Sequence, residues 1–526
     1  MRAKLGLGVL VGITLLATAC TTPGAAGSGG GGADGGGGTI VVALASDPGT
    51  LDPSLANTFD ARVVFTSFCE KLYDDNNQLN AVPQLAAALP RTSADGLTVT
   101  IPLRTGITFN DGTPFNADAV RTTLQRDLTL PASARARELA AVKSVSVLNP
   151  TTVQVHLKYP FSPLVAQLAD RAGLIMSPTA LQKLGANFGT DPVCVGPFSF
   201  SSRTSGSQLN FVRSKYYYAA DKVKAQAVTY KIITDPTTRG DNLESGDVQV
   251  AEQLDATDIP RLKGVSSLRI DDISAISYEG ITINISNADG VGKPAAPVNT
   301  PLGKSPDLRK AFEMALDRKA INKVVYDGAE AVDCLPFPLQ SQFRPANANC
   351  TPYDPNAAKQ IVAASGYHTP IPVTLMVPAD SGVDRLAQVI QSMENAVGFA
   401  VTIKDQEFTS SLAAGRSGNF DTFLIGWSGR LDPDGDLSDL ITTGGSNDYS
   451  GLSDPQVDQG VTASAGASGV AARKAGYAQV LQRLGQLRPI IYLYHDSWFL
   501  GVSSRLTGVV YQSDGIPRVA TASLGS

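Results

Sequence analysis

The decapeptide GWSGRLDPDG, Gly426 to Gly435, gathers groups able to hold a small polar molecule. Trp427 is one of only two tryptophans in the chain. Its indole offers a flat apolar wall and a face that attracts cations. Arg430 presents a planar fork that can grip a carboxylate or phosphate at two points. Asp432, two residues on, could take an amine. The loop follows the strand-like run DTFLIGW, and strand ends at a cleft are where α/β lobes present side chains to ligands. The plainer alternative is that Arg430 and Asp432 pair with each other and merely shape the loop. Ser428 completes the candidates in this loop. Asn284 in ITINIS and Tyr73 in KLYD are the candidates outside it.

Catalytic sets are harder to find. Gly303-Lys304-Ser305 ends like a phosphate-binding loop, but Val298 stands where that motif requires its first glycine, so Ser305 reads better as a helix cap. There is no G-x-S-x-G and no H-E-x-x-H. His495, in an apolar run, fits a hydrogen-bonded structural histidine better than a base. Asp432 and Asp434 could do acid–base work in a cleft, although D-P-D-G is also a common turn composition. No enzyme activity and no cofactor are expected, with a secreted hydrolase as the distant alternative. Three histidines and no C-x-x-C spacing leave no metal site to propose.

The chain of 526 residues is too long for one core, so two or three domains are expected. Hydrophobic residues at 43% with charged residues at 17% exclude a disordered chain. A formal charge of −5 and the lack of a Lys/Arg block argue against nucleic acid as a partner. Arg2 and Lys4 precede an apolar run, Leu5 to Ala17, shorter than the roughly 20 residues that span a bilayer. Ala17-Thr18-Ala19-Cys20 then reads as a lipoprotein processing site, with 1–19 removed and Cys20 lipidated. Leu16 stands one place off the usual pattern, and an ordinary A-x-A signal cleavage is the alternative. Residues 20–38 are rich in Gly, Ala and Ser and read as a flexible tether. Membrane contact through the lipid alone is the expectation, on the extracytoplasmic face of the cell membrane. Cys69, Cys194, Cys334 and Cys350 remain, an even number in an exported chain, and three pairings are open.

Periodicity supplies the frame that must position these groups. Strand-like runs occur at Thr39–Leu44, Leu97–Leu103, Val145–Val147, Val153–Leu157 and Val228–Ile233. Asn116, Ser305 and Asp354 each stand where a helix should start. Leu386, Val389, Ile390, Met393 and Val397 mark a long amphipathic helix closed by Gly398, between the strands VTLMV and FAVTI. This alternation indicates an α/β lobe in the second half.

Several longer motifs resemble one family. DPGTLDP (Asp47–Pro53) is followed by Pro83, Leu85-Ala86, Asp95-Gly96, Leu103-Arg104, Gly106, Phe109 and Asp111-Gly112 through Val120. VGPFSF (Val195–Phe200), LESGDV (Leu243–Val248), DLRKAFEMALDRKAI (Asp307–Ile321), YDPNAAKQIVAASGY and PIIYLYH follow in order. Together they resemble the extracytoplasmic solute-binding proteins of ABC importers, in the large peptide/nickel class, over essentially everything after Gly38.

The resemblance implies a two-lobed α/β clamp of the type II periplasmic-binding-protein kind with an extra α+β domain inserted in lobe I. Lobe I would combine 39–70, 190–276 and 492–526, the extra domain 71–189, and lobe II 277–491. The hinge strands would be Tyr278–Ile285 and Ile490–Tyr494. It further implies a monomer that captures a peptide or peptide-like solute and delivers it to a permease with separate ATPase subunits. Relatives carry a glycine where Cys194 stands, and Cys69, in a stretch FCEKLYD expected to be helical, is not required by the pattern. These paired departures support Cys69–Cys194, leaving Cys334–Cys350. In the family's G-W-x-G-D pattern, an acid for the peptide's α-ammonium falls where this chain has Arg430. A cation there cannot bind an ammonium, which raises a non-peptide anionic solute, such as an opine, a conjugate or a metal chelate, as the alternative ligand.

Overall fold

The computed structural model describes residues 38–346, 350–379 and 381–525. The expected signal segment, the lipidation site at Cys20 and the tether up to residue 37 lie outside the described residues.

The β-branched run Thr39–Leu44 forms a strand at the centre of a seven-stranded sheet. It pairs in parallel with Ala227–Ile232 on one side and Val250–Ala251 on the other. Gln208–Arg213 and Phe198–Thr204 extend one flank, and Ser497–Ser503 with Leu268–Ser274 extend the other. A second, six-stranded sheet runs in the order Ala331–Val332, Ile490–His495, Glu279–Ile283, Thr422–Leu424, Ile371–Pro378, Phe399–Gln406. Its last three strands are parallel, joined by helices such as Ser381–Val397. Residues between these segments of the first sheet supply a separate four-stranded antiparallel sheet, from Arg91–Thr92 to Val142–Asn149. Each sheet has its own apolar core. Val42, Phe68, Phe211 and Tyr230 belong to the first. Ile283, Phe312, Ile390 and Phe399 belong to the second, and Val99, Phe109, Leu124 and Val155 to the third. The mixed α/β sheets form a two-lobed clamp carrying an extra α+β unit.

Local chemistry explains many element ends. Asn116, Ser305 and Asp354 each accept a backbone N–H of the first turn they cap. Lys304 ends the short helix Pro301–Lys304 rather than lying in a loop, and Ser305 is the cap of the helix that follows. Other ends are set from a distance. FCEKLYD is not helical: the helix Phe59–Phe68 stops at Cys69, whose backbone is extended, and Tyr73–Asp75 is a strand. Cys69 is bonded to Cys194, and the Glu70 amide donates to the Val195 carbonyl at 2.7 Å. A tertiary crosslink and its neighbouring hydrogen bond thus draw the chain out of the helix. Cys334 is bonded to Cys350.

The chain passes between the two large sheets twice, at residues 275–278 and at Asp496. The crossings are tied together. Ala275 donates to the Asp496 carbonyl at 2.9 Å, and His495 Nδ1 meets the Ser277 carbonyl at 2.8 Å. His495 is fully buried and its Nε2 faces Asp333 at 2.9 Å. The strand Ile490–His495 lies wholly in the second sheet, so the return to lobe I falls at Asp496 rather than at residue 492. Its backbone continues through one residue into the strand of the other sheet.

Candidate functional site

A cavity of about 710 Å³ lies between the two large sheets. Its wall on the first lobe includes Phe59, Asp60, Arg239 and Trp498. The crossings contribute Ser277, Tyr278, Glu279, Asp496 and Ser497. The second lobe contributes Thr282, Tyr326, Glu330, Arg416, Trp427, Ser428, Tyr449 and Tyr494. Phe59 and Trp498 meet edge to face, with centroids 4.5 Å apart. At the rim, Arg385 of the second lobe reaches Asp255 of the first at 2.6 Å.

The loop after Thr422–Leu424 is held against the first crossing. Trp427 and Tyr278 exchange both backbone hydrogen bonds, at 2.8 and 3.0 Å. Two glycines allow this approach. A Cβ on Gly426 would stand 2.7 Å from the Tyr278 carbonyl oxygen, and one on Gly429 (φ +70°) would stand 2.2 Å from that of Ile276. Trp427 and Ser428 thereby reach the cavity wall. The indole Nε1 donates to Asp436 at 3.1 Å, fixing the ring.

Arg430 does not line the cavity, and this differs from the sequence expectation. Its side chain turns away from the cavity and is 7% exposed. The guanidinium lies 4.1 Å from the centre of the Trp427 ring. Its Nε is 3.1 Å from Asp170 Oδ2 in the extra domain, and its Nη1 donates to the Gly429 carbonyl at 2.7 Å. Asp170 also receives Arg62 Nε at 3.1 Å from the first lobe. Burial alone would push the Asp170 carboxyl upward, but Arg62, Arg430 and Arg171 hold it well below the usual range. One carboxylate thus joins all three parts of the molecule.

Asp432 also lies off the cavity. It caps the helix Pro433–Ile441 and takes both Nη groups of Arg473, at 2.8 and 2.6 Å. Arg430 and Asp432 therefore do not pair with each other; each has a separate distant partner. Asn284 is fully buried, donating to the Gly418 and Phe420 carbonyls and accepting the Asn287 amide. It braces a loop. Tyr73 is a core residue of the extra domain, with its hydroxyl 3.4 Å from the Ala88 carbonyl. Neither lines the cavity.

Sequence reasoning missed the carboxylates of the cavity. Glu279, Glu330 and Asp496 line it, each half-buried. Burial lifts the Glu279 carboxyl well above its ordinary value, with Asp496 adding to the rise. Burial also pushes Glu330 to about 9, reinforced by Asp496 and Glu279. Asp496 is raised by burial, against the hydrogen bond from the Ser277 hydroxyl. One signal was present in the sequence: Asp496 interrupts the apolar run PIIYLYHDSWFLGV. Glu279 and Glu330 carried no comparable signal.

Two lobes joined by paired crossings around a cavity with aromatic walls and charged groups define a solute-binding clamp. Residues 80–448 match the family model described as bacterial extracellular solute-binding proteins, family 5 Middle. The chain belongs to this family and is an extracytoplasmic solute-binding component of an ABC importer. It is 29% identical over 404 residues to the glutathione-binding protein GsiB of Escherichia coli K12, covering 74% of each chain. Its fold is similar to that of a dipeptide-binding protein from Pseudoalteromonas sp. SM9913 in complex with Met-Leu. There the TM-score is 0.85 at 19% identity, over 92% of this chain and 100% of the other. It is likewise similar to the oligopeptide-binding protein AppA of Bacillus subtilis in complex with a nonapeptide. That TM-score is 0.83 at 22% identity, over 93% and 99%. Among the described residues no helix is long and apolar enough to cross a membrane.

Proposed function

We propose that this protein captures a peptide or peptide-like solute in the cavity between its lobes and hands it to a membrane permease. The observation that carries this reading is the cavity. At about 710 Å³ it falls within the range of sites for small molecules. It combines aromatic walls (Phe59, Trp427, Trp498, Tyr449) with charged groups on both lobes. The ligands named for GsiB, for the dipeptide-binding protein and for AppA support a peptide-like solute. Trp427 and Ser428 are the ligand contacts retained from the sequence. Arg430 gives no support to an anionic solute, because its charge is engaged by Asp170 outside the cavity.

Ligand seated against both lobes favours the closed state by its differential affinity for it, and the closed form is the one that docks. We assign the protein no catalysis. We place it as a monomer tethered by a lipid on Cys20 at the outer face of the cell membrane. Thermal-shift screening with dipeptides, tripeptides and glutathione tests the reading, with product analysis in parallel. Stabilisation without turnover supports it. Steady hydrolysis of a stabilising peptide would sink it.

A further inference from the structure

Most carboxylates facing the cavity are already engaged by the protein. Asp47 pairs with Arg203 and Asp255 with Arg385. Glu407 caps the helix Phe408–Ser417, and Asp60 takes the Ser46 amide and hydroxyl. Glu279, Glu330 and Asp496 differ. They lie close to the two crossings, and none forms an ion pair with a cationic side chain among the described residues. Glu279 Oε1 accepts only its neighbour's amide, from Gly280 at 3.2 Å. Glu330 Oε2 accepts the Ser497 amide, and Asp496 Oδ2 accepts the Ser277 hydroxyl. Glu279 Oε2 and Glu330 Oε1 receive no hydrogen bond among the described residues.

A second observation points to a polar occupant. Ile281 and Ile283 enter the core of the second lobe, so Thr282, between them, faces the other way, into the cavity it lines. It is 5% exposed, and its hydroxyl makes no hydrogen bond among the described residues. Nearby, the Tyr326 and Tyr494 hydroxyls share one hydrogen bond of 2.7 Å. One of their two protons is therefore left without a protein acceptor. Three acids so gathered, with no ion pair to a cationic side chain among the described residues, would repel one another when ionised. A ligand ammonium or guanidinium among them would turn that repulsion into attraction and fill the open oxygens.

We propose that the solute carries a cationic group, seated at the hinge wall of the cavity against Glu279, Glu330 and Asp496. This rests on the reading that the cavity takes the solute. The cation is either the α-ammonium of a peptide or a lysine- or arginine-type side chain, and one experiment separates the two.

Four probes are titrated calorimetrically into the full protein: Ala-norleucine-Ala, its N-acetyl form, N-acetyl-Ala-Lys-Ala, and agmatine. The first carries only the α-ammonium, the third only a side-chain cation, and the second neither. At least one cation-bearing peptide should bind about 10-fold or more tightly than the cation-free one, a gap of about 1.4 kcal/mol. Which one does so identifies the source. Glu330→Gln and Asp496→Asn, each checked for folding, should shrink that gap. Equal affinities across the three peptides overturn the inference and leave peptide capture standing. Agmatine binding without any peptide binding keeps the inference and overturns peptide capture. A gap unchanged in both variants places the cation elsewhere and overturns the assignment. Binding of none of the four overturns both.

Discussion

Replacing Arg430 with methionine separates its structural role from a ligand role. The arginine contributes a contact with Asp170 at 3.1 Å, a hydrogen bond to the Gly429 carbonyl and a stack on Trp427. A buried hydrogen bond contributes about 1 kcal/mol and a desolvated cation–π contact about 2 kcal/mol. Asp170 keeps Arg62 at 3.1 Å, so it is not left as a lone buried charge. Methionine recovers part of the packing and escapes the desolvation of a guanidinium. The net loss should be about 2–3 kcal/mol. Asp170→Asn should be worse, about 3–5 kcal/mol, because it strands Arg62 and Arg430 together. Chemical unfolding followed by tryptophan fluorescence measures both, with binding of a stabilising peptide measured on the same samples. Arg430→Met should weaken that peptide by less than about 10-fold, or 1.4 kcal/mol. A loss of a hundredfold or more with stability unchanged would refute the bracing argument and restore Arg430 as a ligand group.

Three other expectations follow from particular residues. The Cys69–Cys194 bond spans 125 residues and Cys334–Cys350 spans 16, so replacing each pair with alanine should cost about 5 and about 3 kcal/mol respectively in the chain-entropy account; the reverse order in unfolding experiments would contradict it. Glu394 is fully buried with neither oxygen hydrogen-bonded among the described residues, and burial holds its carboxyl well above the ordinary range. Its folded value exceeds its unfolded one, so the stability it permits is complete below the unfolded value and falls as pH rises toward the folded one. Glu394→Leu should therefore flatten that pH slope and stabilise the protein near neutrality by about 1–3 kcal/mol, read from unfolding curves at several pH values. Finally, a cation at the hinge wall favours the ionised form of Glu330, whose carboxyl is pushed up to about 9 beside Glu279, Asp496, Tyr326 and Tyr494. Affinity for a peptide held by a side-chain cation should rise from neutral pH toward that value, affinity for one held by its α-ammonium should rise only until that group deprotonates at about 8, and binding at neutral pH should release protons, measurable as a buffer-dependent heat; a pH-independent affinity would contradict it.

Features encoded by neighbours in the chain were legible in the sequence. Thr39–Leu44 is a strand by its β-branched run, and Asn116, Ser305 and Asp354 cap helices with their own side chains. The motif series led to the family, and with it to the clamp. What failed depended on partners far along the chain. Cys69 ends a helix because Cys194 holds it, and Arg430 leaves the cavity because Asp170 and the Trp427 ring draw it outward. Asp432 is occupied by Arg473, which no local pattern reveals. The cavity acids escaped because Glu279, Glu330 and Asp496 meet only where two separated segments cross side by side.

The position of Thr39–Leu44 has a consequence for how the clamp is made. This strand opens the described chain, yet its partners Ala227–Ile232 and Val250–Ala251 lie far downstream, and the sheet is completed by Ser497–Ser503 near the other end. The second sheet draws its strands from one continuous stretch, Glu279 to His495. During synthesis or export the apolar run TIVVAL must wait unpaired, exposed to the wrong strands, until Ala227–Ile232 and Val250–Ala251 have been delivered, and its sheet stays incomplete until Ser497–Ser503 arrives. The second lobe can assemble from its own segment, while the first has to gather pieces across large loops, the slower task. The lobe built on Thr39–Leu44 is thus the last to be completed, and the binding cavity cannot exist before it is.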